Sequence, residues 1–178
     1  MELPDPLEMP GAPRPLAPQP GEPTPVEWRR GGFTVSTDPT RLDLELIVRE
    51  LAGSYWAVGR SRERVERSLR WSLDFGVYDG ERQVGFARAI TDRATFAYVA
   101  DVFVVAAYRG RGLGTWLMDC IAAHPELQGL RRWLLATRDA HELYRKSGYG
   151  PLHHPERWME RFSEPAPTAP ARDPDEAS

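Results

Sequence analysis

The sequence predicts a mixed α/β (α+β) domain in which helices flank a mixed, mostly antiparallel sheet. Three observations carry this. Two helix-like segments come early, three alternating apolar runs follow in quick succession, and a loop, helix, strand, helix series closes the chain. Residues 28–162 hold this pattern, a length suited to one domain. The flanks are of another kind. Of 17 prolines, nine lie in residues 1–25 and four in residues 164–178. With so few aromatic or β-branched residues, such segments cannot bury enough apolar surface to offset their ordering entropy. Residues 1–27 and 163–178 are therefore expected to be disordered tails.

Taken in order, "GFTVST" (32–37) alternates like a short strand and ends at Asp38-Pro39, where a helix is expected to start with Asp38 accepting free amides and Pro39 in the first position. Leu42, Leu46 and Ile47 would face inward, and the pattern fades by Gly53. "SRERVERSLRWSL" (61–73) predicts a second helix with Val65 and Leu69 toward the protein. The aromatic-rich "GSYWAVG" (53–59) joins the two. Strands are expected at 74–79, 83–90 and 95–105, separated by "DGER" and "TDRA", which makes an antiparallel meander. A helix follows at about 113–123, a strand at 132–137, a helix at about 140–147 and a last strand near "RWMERF" (157–162).

Charge and cysteine content narrow the function. Residues 1–25 and 163–178 each set one arginine against four acidic residues, so the overall charge of −3 leaves residues 26–162 with 21 basic against 18 acidic residues. That mildly basic balance suits a small polyanion and falls short of a nucleic-acid footprint. A single cysteine excludes an internal disulfide framework and a multi-Cys metal site, and the histidines lack partners at ligand spacing, so no metal is expected. Nothing reads as a leader or a span of about 18 apolar residues, so a cytoplasmic protein with no membrane partner is expected.

The chemistry concentrates in "YRGRGLGTWLMDCI" (108–121). Leu113, Trp116, Leu117, Cys120 and Ile121 recur at the spacing of one helix face, which puts the glycine loop at a strand end and a helix start. There the first backbone amides have no intrahelical partner and the dipole favours negative charge. Glycines allow positive φ and close approach, while Arg109 and Arg111 suit phosphate. The nucleotide P-loop needs a Lys after its last glycine, and Leu113-Gly114-Thr115 has none. The spacing Gly110, Gly112, Gly114 after a meander also departs from the dinucleotide fingerprint.

The arrangement resembles the GNAT acetyltransferase superfamily, whose Gln/Arg-x-x-Gly-x-Gly/Ala signature appears as Arg109, Gly112 and Gly114. The resemblance covers about Phe33 to Phe162. It implies a GNAT fold and a loop, Arg109 to Thr115, that binds the pyrophosphate of acetyl-coenzyme A through backbone amides. It implies also that Val104 and Val105 bond the pantetheine arm. "TRDAHELYRKSGYG" (137–150) resembles the family segment Asn-x-x-Ala-x-x-Leu-Tyr-x-x-x-Gly-Phe at Ala140, Leu143, Tyr144, Gly148 and Tyr149. Thr137 replaces the asparagine, and its hydroxyl is still expected to bond pantetheine. Asp139 with Glu142 predicts a capping box for this helix.

By the resemblance, Tyr144 protonates the departing thiolate. A thiolate with pKa near ~8.5 leaves more easily when a proton arrives with it. For the base, Asp101 stands out as a charge within the apolar "VADVFVV"; it either takes the amine proton or pairs with an arginine such as Arg88. Without a bulge it would share a face with Phe103. His141 is a second candidate on Tyr144's helix face, and water a third. The resemblance implies an acceptor pocket at Tyr55, Trp56, Trp71, Phe75, Phe96 and Tyr98, fit for a small apolar or aromatic amine or a cation over a ring. The expected activity is N-acetylation of a small-molecule amine by direct attack. A protein amine or a non-catalytic coenzyme A-binding module on the same fold are the alternatives. Cys120 on the apolar helix face argues against an acyl-cysteine, and the resemblance also allows a homodimer.

Overall fold

A computed structural model describes residues 24–163. The parts of the expected tails at 1–23 and 164–178 lie outside the described residues. Six strands form one sheet in the order β1-β2-β3-β4-β5-β6: β1 (Glu27–Arg30), β2 (Phe33–Ser36), β3 (Leu73–Asp79), β4 (Arg82–Thr91), β5 (Phe96–Val104) and β6 (Arg132–Leu134). All neighbours run antiparallel except β5 and β6, which are parallel, so the expected mixed sheet and its central meander are present. β1 begins at Glu27, inside the stretch expected to be tail. Its partner β2 is only two residues on, and Gly31 and Gly32 at φ 54° and 86° make the tight reversal.

Two helices cover one face of the sheet. α1 (Leu44–Ala52) does not start at Pro39: Asp38 caps only a short 3-10 turn, accepting from the Thr40 amide at 2.9 Å. Asp43 then caps α1 by accepting from the Leu46 amide at 3.0 Å. α2 (Arg62–Leu69) is shorter than the 61–73 periodicity predicts, because Leu73 and Asp74 are taken into β3. Ile47, Leu51 and Val65 pack with Phe86 and Phe103 of the sheet.

On the opposite face lie α3 (Leu113–Ala122) and α4 (His141–Lys146). The predicted stripe of α3, Leu113, Trp116, Leu117, Cys120 and Ile121, is buried throughout, packed on Val35, Phe75, Val77 and Val99. At α4 the expected capping box does not form. Thr137 Oγ1 instead accepts from the amides of Asp139 and Ala140, at 3.4 and 3.0 Å, and Glu142 pairs with Arg145.

The last strand expected near 157–162 is absent: a 3-10 turn at Pro155–Arg157 is followed by irregular chain. β6 pairs over only three residues rather than six, so it offers little edge to add to, and Met159 and Phe162 stay exposed. Trp158 is held down by the Arg132 guanidinium 4.7 Å from its ring centre.

Candidate active site

β5 and β6 share only Phe96 to Tyr98, and beyond Tyr98 they diverge. A strand whose edge loses its partner leaves backbone groups to be satisfied by something else. A cavity of about 970 Å³ opens there, lined by β5 from Tyr98 to Val104, the glycine loop, the 136–140 loop and Tyr144. Its walls belong to both cores: Leu113, Val99 and Tyr144 on the α3 side, Phe103 on the α1 side. The cavity thus joins the two faces of the sheet.

β5 carries a bulge opposite Phe86 to Arg88, where Ala100 and Phe103 are the paired residues. At it Asp101 takes φ 55°, a left-handed conformation costly for a side chain with a Cβ. The plain alternation expected for this strand is therefore broken, and Asp101 turns toward Arg88 and Arg60. Its Oδ2 accepts from Arg88 Nε at 2.6 Å and Arg60 Nη1 at 2.7 Å. Burial alone would raise its pKa, but the two guanidiniums hold it below the ordinary carboxylate value. A carboxylate held so firmly ionised is a weak proton acceptor, so the reading of Asp101 as base gives way to the ion-pair reading. Next to Arg88 across β3 and β4 sits Asp74, bonded to the Ser72 hydroxyl at 2.8 Å. Burial pushes Asp74 up to about 7, against the pull of Ser72 and Arg88.

The glycine loop enters α3 as predicted. Gly110 and Gly112 have φ 76° and 72°, and Gly112 caps α3 without a side-chain bond, leaving the amides of Leu113, Gly114 and Thr115 ahead of the first helical turn. Those three residues line the cavity. Two arginines brace the loop: Arg109 Nε donates to the Val104 carbonyl at 3.0 Å, and Arg30 donates to the Gly112 carbonyl at 3.0 Å while lying over Trp116.

Tyr144 stands on the same cavity, buried except for 9 % of its surface, with Tyr149 edge-on at 6.2 Å. Its hydroxyl has no hydrogen-bond partner among the described residues, and burial, reinforced by Tyr55 and Asp139, pushes its pKa up to about 12. It is therefore neutral and keeps its proton at physiological pH. Thr137 and Arg109 also line the cavity, as do Tyr55, Trp56 and Tyr98.

Six expected site residues lie elsewhere. Val105 spends its amide on Val84 and its carbonyl on the Tyr108 amide, so it has no free backbone group for a ligand. Arg111 folds back over the Tyr108 ring and donates to the Ala107 carbonyl. His141 is exposed and outside the cavity, at the start of α4. Trp71 is 80 % exposed beyond α2, whereas Phe75 is fully buried against Trp28 and His124 on the α3 face. Phe96 lies where β5 and β6 are still paired, before the cavity begins.

Three arginines that line the cavity or brace its wall were not singled out from sequence: Arg60, Arg138 and the loop brace Arg30. Arg138 presses on the Tyr55 ring at 3.8 Å while its amide donates to the Tyr55 hydroxyl at 2.8 Å. The ring face expected to receive a ligand cation is thus already covered by the protein's own guanidinium. Arg60 offered no local signal, because it sits in a loop and meets Asp101 across 41 residues.

Residues 72–151 match the acetyltransferase (GNAT) domain family, spanning β3 through α4 and therefore the cavity wall apart from Tyr55, Trp56 and Arg60. A candidate acetyltransferase of Gibberella zeae, FG08082, is 32 % identical over 146 residues, covering 69 % of this chain and 81 % of its own. This chain belongs to the GNAT acetyltransferase family. Among solved structures, a candidate GNAT acetyltransferase from Xanthomonas campestris pv. campestris is 49 % identical, with a TM-score of 0.72 over 74 % of this chain and 93 % of that one. The glucosamine-6-phosphate N-acetyltransferase of Arabidopsis thaliana, 16 % identical with a TM-score of 0.52 over 73 % of this chain and 97 % of that one, shares the fold. As a GNAT member the chain is a transferase, and the glycine loop, the parted strands and Tyr144 are the parts that its fold brings together.

Proposed function

We propose that this chain is an acetyl-coenzyme A-dependent N-acetyltransferase that moves the acetyl group to the amine of a small molecule by direct attack. The observation that carries this reading is the convergence on one cavity of three uncommitted helix-start amides and the unpartnered hydroxyl of Tyr144. Leu113, Gly114 and Thr115 fit the pyrophosphate, since their N–H groups and the α3 dipole favour negative charge and the glycines let it come close. The unpaired edge of β5 from Val102 to Val104 fits the amide-bearing pantetheine arm, with the Thr137 hydroxyl across from it. Acetyl-coenzyme A supplies the activated acetyl group.

The acceptor amine reaches the cavity from the α1 side, past Tyr55 and Trp56. Tyr144 donates its proton to the sulfur as the thiolate departs. With Asp101 held by two arginines and His141 outside the cavity, the amine proton goes to water. Cys120 is buried on the core face of α3 with its pKa pushed up to about 12 by burial and the neighbouring Asp119, which fits direct transfer without an acyl-cysteine.

Release of free thiol from acetyl-coenzyme A across a panel of amines tests the reading. Turnover with at least one small amine is expected, and Tyr144→Phe is expected to lower kcat by roughly 10²–10³ with coenzyme A affinity little changed. Full activity of Tyr144→Phe at every pH would remove the proton-donor role.

A further inference from the structure

The acceptor end of the cavity carries more positive charge than the protein neutralises. Asp101 is one carboxylate between two guanidiniums, and both use the same oxygen, Oδ2. Arg88 is only 9 % exposed, and among the described residues the sole hydrogen bond of its side chain uses Nε. Its two Nη groups are left to the cavity it lines. Arg60, also on the lining, gives Nη1 to Asp101 and keeps Nε and Nη2 free among the described residues. None of these free nitrogens is a buried atom without a partner, so they open to the cavity solvent, where an anion can take the place of water.

The neighbouring groups do not supply that partner. Asp74 faces Arg88 from β3 but is bonded to Ser72 and lies within 4 Å of no arginine. Arg138 and Asp139 pair with each other at the cavity mouth, 3.6 Å apart. With Asp74 protonated, as its burial favours below about pH 7, Arg88 and Arg60 against Asp101 leave one positive charge near the bulge. A carboxylate matches it in both charge and shape, since the planar Nη edge of arginine bonds two oxygens side by side. A phosphate would bring up to two negative charges against that one.

We propose that the acceptor is an amine bearing a carboxylate, an amino acid or a related amino carboxylate, whose carboxylate docks on the free Nη groups of Arg88 and Arg60. Its amine then points along β5 toward Tyr144. This inference rests on the acetyltransferase reading for the role of the acceptor, though the anion site itself does not require it. It also replaces the expectation of an apolar amine or a ring-bound cation, since Arg138 occupies the Tyr55 face.

Calorimetric titration of the full chain separates the two readings. N-acetylglycine, N-acetyl-β-alanine and N-acetylphenylalanine serve as product-like probes, each beside its amide, with and without saturating coenzyme A. At least one acid is expected to bind about tenfold or more tightly than its amide, the scale of a lost charge-assisted bond pair. Arg60→Gln, at a half-buried loop position, is expected to abolish that preference and leave coenzyme A binding intact, which also shows that the variant folds. Amides binding as well as all three acids, or an acid preference that survives Arg60→Gln, would overturn the proposal. Failure of coenzyme A alone to bind would count against the acetyltransferase reading and leave the acid preference to be judged by itself.

Discussion

At the scale of single residues, the charges buried under the cavity follow from what each carboxylate touches. Asp101 has two guanidiniums and is held ionised, while Asp74, a strand away, has a hydroxyl and burial and is pushed up to about 7. The two act on stability with opposite signs. A carboxyl whose folded pKa is raised binds its proton more tightly in the folded state, so its contribution is full below about pH 4 and is lost as pH rises toward 7. Asp101, with its pKa lowered, contributes above the unfolded value and loses that contribution as pH falls. Asp74→Asn is therefore expected to match the wild type near pH 4 and to exceed its Tm by at least about 2 °C at pH 8, measured by calorimetry. A constant difference across that range would show that Asp74 does not titrate as its burial implies. Asp101 was conspicuous in the sequence as a charge in an apolar strand, but its role was not readable, because Arg60 and the bulge that turns it are long-range features.

At the scale of elements, the glycine loop and α3 were the most legible part of the chain. The i, i+3, i+4 stripe, the glycines before it and the strand ahead are all local signals, and each appears where the spacing put it. The loop depends on backbone conformation more than on side chains. A Cβ at Gly112 would touch nothing closer than Arg30 Nη2 at 3.7 Å, yet φ 72° strains any L-residue there. Gly112→Ala is expected to cost about 1–2 kcal/mol in denaturant unfolding and to weaken coenzyme A binding. A variant that loses neither would mean the loop can relax and the positive φ is not required. Elements set by pairing were harder to read. α2 ends early because β3 claims its last residues, β6 stops where β5 parts from it, and the final strand fails for want of an edge. The capping box at α4 failed for a different reason, a nearer competitor in the Thr137 hydroxyl.

At the scale of the whole molecule, two helical layers on opposite faces of one sheet would only make a stable sandwich; the parting of β5 and β6 makes it a passage between the faces. The glycine loop and Tyr144 open from the α3 side, the aromatic and arginine-lined end proposed for the acceptor from the α1 side, and they meet at the bulge on β5. The order of elements and the glycine loop at the start of α3 were legible because they rest on contiguous motifs. The acceptor half was misread at Trp71, Phe75 and Phe96, since aromatics serve cores and pockets alike and only packing separates them. The central claim is that the α3 start seats the pyrophosphate of coenzyme A. Its most direct test is the thermal midpoint of the full chain titrated with coenzyme A and, in parallel, with pantetheine, which lacks the pyrophosphate. Coenzyme A at about 100 times its Kd should contribute roughly 2.7 kcal/mol, a rise of several degrees, and pantetheine far less. Equal shifts with both ligands, or none with millimolar coenzyme A, would contradict it.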